Sequence, residues 1–185
     1  MKSPALSYRL PDATWSLRFA ESALQTLLDH VQHSRTSNES VGQLFVRDLT
    51  QDPVVVELAT VLVPTRAAWA RVIFDTDRAM TEREVLFEKG LHCIGLWHTH
   101  PEPSPTPSTD DRMLAREHAL AARSQLAGIV FVIVGTVPAP AGIRVWVDDG
   151  IALREAIVDE RQGGRAFEKA CADIQSTRLR TECRK

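Results

Sequence analysis

The chain has 185 residues, 44% of them hydrophobic and 25% charged, so one globular domain with its own core is the simplest interpretation. Its 22 basic and 24 acidic residues leave a formal net charge of -2, which excludes a general basic field for holding nucleic acid. The N-terminus lacks an apolar signal-peptide core, and no segment reaches the ~18 apolar residues that cross a bilayer, so we expect a cytoplasmic protein without membrane partners.

The first half of the chain predicts one helix and several strands. Residues 13–19 alternate weakly and predict a first strand. Apolar residues then recur at helical spacing between Ala20 and Val31, which predicts an amphipathic helix. After a polar break, VGQLFV at 41–46 predicts a buried strand, and the β-branched run at 54–63 predicts a central strand.

The second half predicts a further alternation of helices and strands. Thr81 and Glu84 form a capping-box pair and Gly90 provides a stop, which predicts a helix over 82–89. The other predicted elements are a strand at 92–97, a helix at 109–124, an interior strand at 128–135, an edge or half-exposed strand at 142–149 and a final helix at 165–180. This order predicts an α/β or α+β domain with a central sheet flanked by helices.

Two histidines one residue apart follow the predicted strand at 92–97. Because alternate side chains of a strand share a face, His98 and His100 should point to the same side, whereas Thr99 should point to the other. Pro101 then ends the strand, and a helix opens near Asp111, whose carboxylate can return to the same ion. Three protein ligands with a fourth position open to water are typical of a catalytic zinc site.

The same residues have a purely structural interpretation. Ser108 and Asp111 have the spacing of a helix capping box, and paired histidines also occur as plain surface residues of strands. The conjunction of strand, histidine pair, proline-rich turn and Asp at a helix start favours the metal site. A capping role and a ligand role are also compatible, because one turn can serve both.

The segment His98-Thr99-His100-Pro101, followed by six residues and then Ser108-x-x-Asp111, resembles the JAMM (MPN+, JAB-type) metalloprotease signature HxHPx6SxxD without gap or substitution. The resemblance implies one Zn²⁺ per chain, held by His98, His100 and Asp111, and it implies that Ser108 helps to hold the tetrahedral oxyanion. It also implies a cytidine-deaminase-like MPN/JAB fold over residues 1–160, with 161–185 as a C-terminal helical tail of the same domain.

A hydrolytic zinc site also needs a general base, and carboxylates suit that role. The family places a Glu upstream, at the start of a strand, in a glycine-containing context. Glu39 matches this pattern as E-x-x-G with Gly42, although Val41 stands where many members have a small residue. The alternatives are that Glu39 is a solvated loop carboxylate, or that Glu57, within the run at 54–63, is the base.

The resemblance also implies a substrate class. Many JAMM proteins are isopeptidases that cut after the C-terminal glycine of ubiquitin or a ubiquitin-like protein, and a small bacterial subset is associated with antiphage defence. The implied partners are a ubiquitin-like protein or its conjugates, together with other proteins of the conjugation system. Residues 66–84 are a candidate surface for an extended tail, although Trp69 and Phe74 within them favour a core position.

Three alternatives to a protein-directed isopeptidase are a JAMM hydrolase of small molecules or short peptides, a non-catalytic scaffold of the same fold, and a RadC-like protein linked to DNA. The retained ligands disfavour the scaffold, and the absence of a basic face disfavours the DNA-linked protein.

The three cysteines, Cys93, Cys171 and Cys183, are widely spaced and form no CxxC pair. They therefore predict neither a disulfide framework nor a thiolate zinc site. By strand parity, Cys93 should face away from the histidines, as a small core residue.

Overall fold

The protein is built on one large mixed sheet. The computed structural model describes residues 6–33, 37–68 and 71–159. In chain order the elements are β1 (Ser7–Arg9), β2 (Leu17–Phe19), α1 (Glu21–Asp29), β3 (Val41–Val46), β4 (Val54–Val56), β5 (Leu58–Ala59), β6 (Pro64–Ala68), β7 (Arg71–Phe74), α2 (Thr76–Phe87), β8 (His92–Thr99), α3 (Thr109–Ala122), β9 (Ile129–Val134), β10 (Ile143–Asp148) and β11 (Leu153–Val158).

Nine strands form the sheet in the order β4-β2-β1-β11-β10-β9-β8-β3-β5, and β6 and β7 form a separate hairpin. β8 runs parallel to β9 and antiparallel to β3. The two edge strands, β4 and β5, are separated in sequence only by Glu57, so the sheet must curl until its edges meet. The predicted α/β class, with a central sheet flanked by helices, is confirmed.

The two faces of the sheet are covered by different helices. On one face, Leu24 and Leu27 of α1 join the larger core cluster with Leu44 and Val132. On the other face, Ala115 of α3 packs in a smaller cluster of sheet residues, which are Leu96, Phe131, Ile133 and Trp146. Burial on both faces explains why every residue of β9 is apolar.

Residues 54–63 do not form the single central strand that their composition predicts. The chain leaves β4, which pairs with β2, and enters β5, which pairs with β3 at the opposite edge. Glu57 lies at this crossing, where its carboxylate accepts a hydrogen bond from Arg47 Nε at 2.9 Å. β-branched side chains suit a half-buried edge as well as a centre, so composition does not distinguish the two.

The strand at 142–149 is interior rather than an edge, because β10 pairs with β9 on one side and with β11 on the other. Sequence patterning misses both β11 and β1. In β11 only Ala156 is buried, so the strand lacks the apolar alternation that would reveal it.

The second helix begins at Thr76 rather than at residue 82, and its N-cap is Asp75 rather than Thr81. The Asp75 carboxylate accepts hydrogen bonds from the backbone N–H groups of Asp77 and Arg78, whereas the Thr81 hydroxyl donates to a carbonyl within the helix. The first turns of α2 bury only Ala79, so no apolar periodicity marks them. The predicted stop is confirmed by Gly90, which has φ +73°.

Several sequence expectations lie outside the described residues. These are the helix at 165–180, the tail at 161–185, Cys171, Cys183, and the core positions of Trp69 and of the Phe74 side chain. Within the described residues, no helix combines the length and hydrophobicity needed to cross a bilayer.

Candidate metal centre and active site

The two histidines lie at the end of β8, between β3 and β9. His98 faces Val41 of β3 and Ile133 of β9, and His100 continues the path by donating its backbone N–H to Val134 O at 2.9 Å. The Nε2 atoms of His98 and His100 are 2.9 Å apart, so both rings reach the same point. The predicted common side for the two side chains is confirmed.

The proline-rich turn after His100 is held against the end of β9. Thr136 donates its backbone N–H to Glu102 O at 2.9 Å, and Arg144 Nη1 donates to Ser104 Oγ at 2.8 Å. A Cβ atom at Gly135 would lie 2.5 Å from Glu102 O and 2.6 Å from Pro105 Cδ, so the turn packs where only glycine leaves room. This packing returns the chain to the sheet at the start of α3.

Ser108 is the N-cap of α3 and forms a complete capping box with Asp111. Ser108 Oγ accepts a hydrogen bond from the Asp111 N–H at 3.1 Å, and Asp111 Oδ2 accepts one from the Ser108 N–H at 2.7 Å. Asp111 Oδ1 also lies 3.2 Å from His98 Nε2, and Oδ2 lies 3.5 Å from His100 Nε2. The capping box is therefore confirmed, and it aims the Asp111 carboxylate at the histidines.

The three side chains fit a small divalent cation. In tetrahedral zinc sites with bonds of ~2.0–2.1 Å, the ligand atoms stand about 3.3 Å from one another. The spacings among the histidine nitrogens and the Asp111 oxygens are 2.9, 3.2 and 3.5 Å. Two imidazole nitrogens and one carboxylate are also the donor set of an open, catalytic zinc site. Among the described residues, this is the cluster that can hold a metal.

The protonation of these groups suits ligation. Burial lowers the pKa of His98, which keeps its ring neutral with a lone pair for a metal. Burial opposes ionisation of Asp111, but hydrogen bonds from His100 and His98 outweigh it and hold the pKa of Asp111 well below its usual range. Burial likewise disfavours the charged form of His100, but contact with Asp111 raises its pKa. Asp111 is thus the ionised anchor of the cluster.

Glu39 lies in the short segment that leads into β3, and only 7% of its surface is exposed. Burial raises the pKa of Glu39 to about 7, with His100 opposing this shift and Asp111 reinforcing it. Val41 pairs with His98 and Ser40 is hydrogen-bonded to Thr99, so the fold brings Glu39, the residue before Ser40, close to the metal-ligand cluster. A carboxyl with a pKa near neutrality can both accept and return a proton. Its role as the base remains a prediction.

The segment that carries Glu39 is tied to β8. Ser40 donates its backbone N–H to Thr99 Oγ1 at 2.9 Å, and Thr99 donates its own N–H to Ser40 O at 3.0 Å. Glu57, the rival base, pairs with Arg47 at the far end of β3. The geometry therefore favours Glu39 over Glu57.

The glycine of the E-x-x-G pattern has a packing reason. The Trp97 indole faces Gly42 across the β3–β8 ladder and donates its Nε1–H to Thr60 O at 2.8 Å. A Cβ atom at Gly42 would lie 1.7 Å from Thr60 O and 2.4 Å from Trp97 Nε1. Val41, where many members have a smaller residue, is buried in a cluster with Leu62 and Ala79. This cluster accommodates the larger side chain.

The prediction that Cys93 faces away from the histidines is wrong. The β3–β8 ladder shifts register between Leu44 and Phe45, and one residue of β8 is passed over at this bulge. The bulge reverses the parity of the strand, so Cys93 Sγ lies 3.8 Å from Gln43 Oε1, on the side of the sheet to which His98 points. Cys93 is half-buried there, and burial raises the pKa of its thiol.

Two residues near the cluster were not identified as site residues from the sequence. Thr99 is the first, because strand parity directs its side chain away from the histidines. Glu102 follows the motif's proline, and its Oε2 lies 4.0 Å from His100 Nδ1, the ring nitrogen opposite the ligand nitrogen. Ligand histidines commonly direct their second nitrogen to a carboxylate, so an acidic residue within the proline-rich turn was a signal for this contact.

Comparisons with known proteins agree with this geometry. Residues 20–148 match the family model described as prokaryotic homologs of the JAB domain. A protein of Pseudomonas aeruginosa (strain BWHPSA011 / Pa011), named CD-NTase/cGAS isopeptidase, is 32% identical over an alignment of 112 residues, and the match covers 57% of this chain and 69% of that protein. The solution structure of a Desulfitobacterium hafniense protein shares the fold, with a TM-score of 0.57 and 18% identity over 80% of this chain and 96% of that one.

Proposed function

The chain belongs to the prokaryotic homologs of the JAB domain, and on this premise we propose that it is a zinc-dependent isopeptidase. The bond that it hydrolyses is the amide after the C-terminus of a ubiquitin-like protein. The observation that carries the proposal is the spacing of His98, His100 and Asp111, which fits one tetrahedral ion beside the buried carboxyl of Glu39.

In this proposal Glu39 moves the proton of the reaction. Zinc, when bound by His98, His100 and Asp111, supplies a water that ionises near neutral pH and a Lewis acid for the amide carbonyl. Glu39 takes the proton from the attacking water and delivers it to the leaving amine. Its burial supports both steps, because a carboxyl with a pKa of about 7 is a competent base and a competent acid.

Ser108 has a hydroxyl proton available for the oxyanion. A serine hydroxyl has one donor and two acceptor positions, and the helix cap uses one acceptor position for the Asp111 N–H. Its O–H therefore remains free to donate to a developing oxyanion beside the cluster. Such a donor is worth about 2.7–4 kcal/mol of transition-state stabilisation in other hydrolases.

An exposed strand edge beside Glu39 supports a protein substrate with an extended tail. Val41 lies two residues after Glu39 at the start of β3. Its carbonyl accepts a hydrogen bond from the Leu62 N–H at 2.8 Å. Antiparallel pairing then points the backbone groups of Val61 and Val63 away from the sheet, and the Val63 side chain is 62% exposed. A groove of about 360 Å³ separates this edge from α2 and is lined by residues of both, including Asp75, Thr81 and Val85.

An incoming C-terminal tail can add to this edge as a further strand and so reach Glu39 and the metal-ligand cluster. The groove includes the end of the candidate segment 66–84, which supports its proposed part in binding. We propose as partners a ubiquitin-like protein and its conjugates, in particular conjugates of a CD-NTase-type enzyme in antiphage defence. The name of the Pseudomonas aeruginosa relative supports this choice.

The test is cleavage of a ubiquitin-like protein joined through its C-terminal glycine to a reporter protein. We expect cleavage by the zinc-loaded protein, loss of cleavage with a chelator, and recovery when zinc is added back. Glu39→Gln should retain zinc and lose hydrolysis, whereas His98→Ala should lose the metal. Cleavage that persists in chelator, or that Glu39→Gln leaves intact, contradicts the proposal. A short peptide with the same C-terminal sequence tests whether the folded ubiquitin-like protein is required.

A further inference from the structure

We propose that Thr99 is a positioning residue, whose hydroxyl fixes the segment of Glu39 against the strand that carries the histidines. Its catalytic consequence rests on the proposed function. The structural part of the proposal, that the Thr99 hydroxyl holds the Ser40 backbone, does not depend on the proposed function.

The contact lies where the β3–β8 ladder ends. Val41 faces His98 in the last pair of this ladder, so Ser40 and Thr99 would be the next pair in register. A regular antiparallel pair of this type exchanges two backbone hydrogen bonds. Here the backbone makes one of them, from Thr99 N–H to Ser40 O, and the Thr99 hydroxyl accepts the Ser40 N–H in place of the Thr99 carbonyl.

The substitution of a hydroxyl for a carbonyl has a geometric reason. Beyond Thr99 the backbone continues along β9, because Thr99 pairs with Val134 and His100 donates its N–H to Val134 O at 2.9 Å. The rings of His98 and His100 meet at this end of β8, with their Nε2 atoms 2.9 Å apart. The chain at His100 can thus follow β9 while the Thr99 hydroxyl still holds Ser40, and the histidines and Glu39 remain in one arrangement.

Nothing else among these residues can replace the hydrogen bond between Ser40 and Thr99. Thr99 is fully buried, so water does not readily take the place of its hydroxyl. Glu39 itself precedes β3 and has no place in the ladder, so its carboxyl is located by the two-residue link through Ser40 to Val41. Proton transfer from a water depends on sub-ångström placement of the base, and a displacement of about 1 Å can reduce rate by about 10²-fold.

The test compares a variant that removes the Thr99 hydroxyl with a variant that keeps it. Thr99→Val keeps the side-chain volume and removes the acceptor, whereas Thr99→Ser keeps it. We expect kcat of Thr99→Val to fall by about 10- to 100-fold with KM and zinc content unchanged. We expect Thr99→Ser to stay within about threefold of the wild type and so to rescue the loss.

The matched control is Thr60→Val. Thr60 Oγ1 also accepts a backbone N–H of β3, that of Gln43 at 3.3 Å, three residues further along the chain than Ser40. We expect this variant to lose stability without the fall in kcat that marks Thr99→Val. If Thr99→Val does not fold, Thr99→Ala replaces it as the variant without a hydroxyl.

Amide hydrogen exchange at Ser40 is the readout that does not depend on activity. The Ser40 amide should be protected in the wild type and in Thr99→Ser, and it should exchange at least tenfold faster in Thr99→Val. Unchanged exchange in Thr99→Val overturns the proposed hydrogen bond from the Ser40 N–H to the Thr99 hydroxyl, whether or not the wild type is active. An inactive wild type would refute the proposed function separately. Changed exchange with wild-type kcat, or equal losses in Thr99→Ser and Thr99→Val, overturns the positioning role.

Discussion

Ser108 and Asp111 each accept a hydrogen bond from the other's backbone N–H, and the same Asp111 carboxylate reaches both histidine rings. The helix cap and the candidate metal ligand are therefore one group. Substitutions at Asp111 can separate the two roles, because an amide oxygen can still cap a helix but carries no negative charge for a metal.

Asp111→Asn should keep the cap and lose the metal. We expect the unfolding free energy of metal-free Asp111→Asn to stay close to that of the wild type, while Asp111→Ala loses about 1 kcal/mol. Zinc content after dialysis, measured by mass spectrometry, should fall in both. Asp110→Asn, at the exposed neighbouring position, is the control and should retain full zinc. Full zinc in Asp111→Asn would show that the carboxylate is not a ligand.

Zinc should stabilise the protein through the two histidines. At free zinc about 1,000-fold above the dissociation constant, the gain in unfolding free energy is about 4 kcal/mol. Differential scanning calorimetry with and without zinc measures this gain as a rise in Tm. The rise should vanish in His98→Ala, and its persistence there would place the metal elsewhere.

The pH dependence of stability should report Glu39 in the metal-free protein. Its pKa is raised from the ordinary 4.5 to about 7, so the folded state holds a proton that the unfolded state has lost between these values. Unfolding free energy should therefore fall as pH rises from about 4.5 to 7, by at most about 3 kcal/mol from this group, and then level off.

Urea unfolding of Glu39→Gln across the same pH range is the comparison, because the amide does not titrate. The difference in unfolding free energy between variant and wild type should grow up to about pH 7 in favour of the variant. Parallel curves for the two proteins would mean that Glu39 is not buried in this way.

Gly42→Ala should destabilise the protein by crowding Thr60 O, which would lie 1.7 Å from the added methyl group. We expect a loss of about 1–3 kcal/mol, the usual range for an overpacked site. For a chain of this size that corresponds to a fall in Tm of several degrees, which thermal denaturation measures. An unchanged Tm would mean that Thr60 O and the Trp97 indole do not approach Gly42 this closely.

Gly135→Ala should weaken zinc binding without touching a ligand, because its Cβ would press on Glu102 O and on Pro105 of the turn that leads to Asp111. The matched control is Gly128→Ala at the other end of β9, where the new Cβ would lie 2.9 Å from Asp148 O. Both variants should lose stability, but only Gly135→Ala should lose zinc affinity in a competition titration. Equal affinities would exclude a positioning role for the turn.

The elements and groups that depend on neighbouring residues could be predicted from the sequence. Short spacings along the chain predict the capping box of Ser108 and Asp111, the shared side of His98 and His100, and the buried strand at 41–46. Local backbone geometry decides which side chains share a face, so nearby residues are enough for these predictions. Those expectations are confirmed.

Features that depend on contacts between residues distant in sequence could not be predicted in this way. The bulge that turns Cys93 to the histidine side arises in the ladder with β3, and the run at 54–63 divides because its two parts pair with opposite edges of a curled sheet. Glu39 reaches the cluster through the contact between Ser40 and Thr99, which are 59 residues apart. Spacing along one strand carries no information on such partners, because they are chosen by packing across the whole sheet.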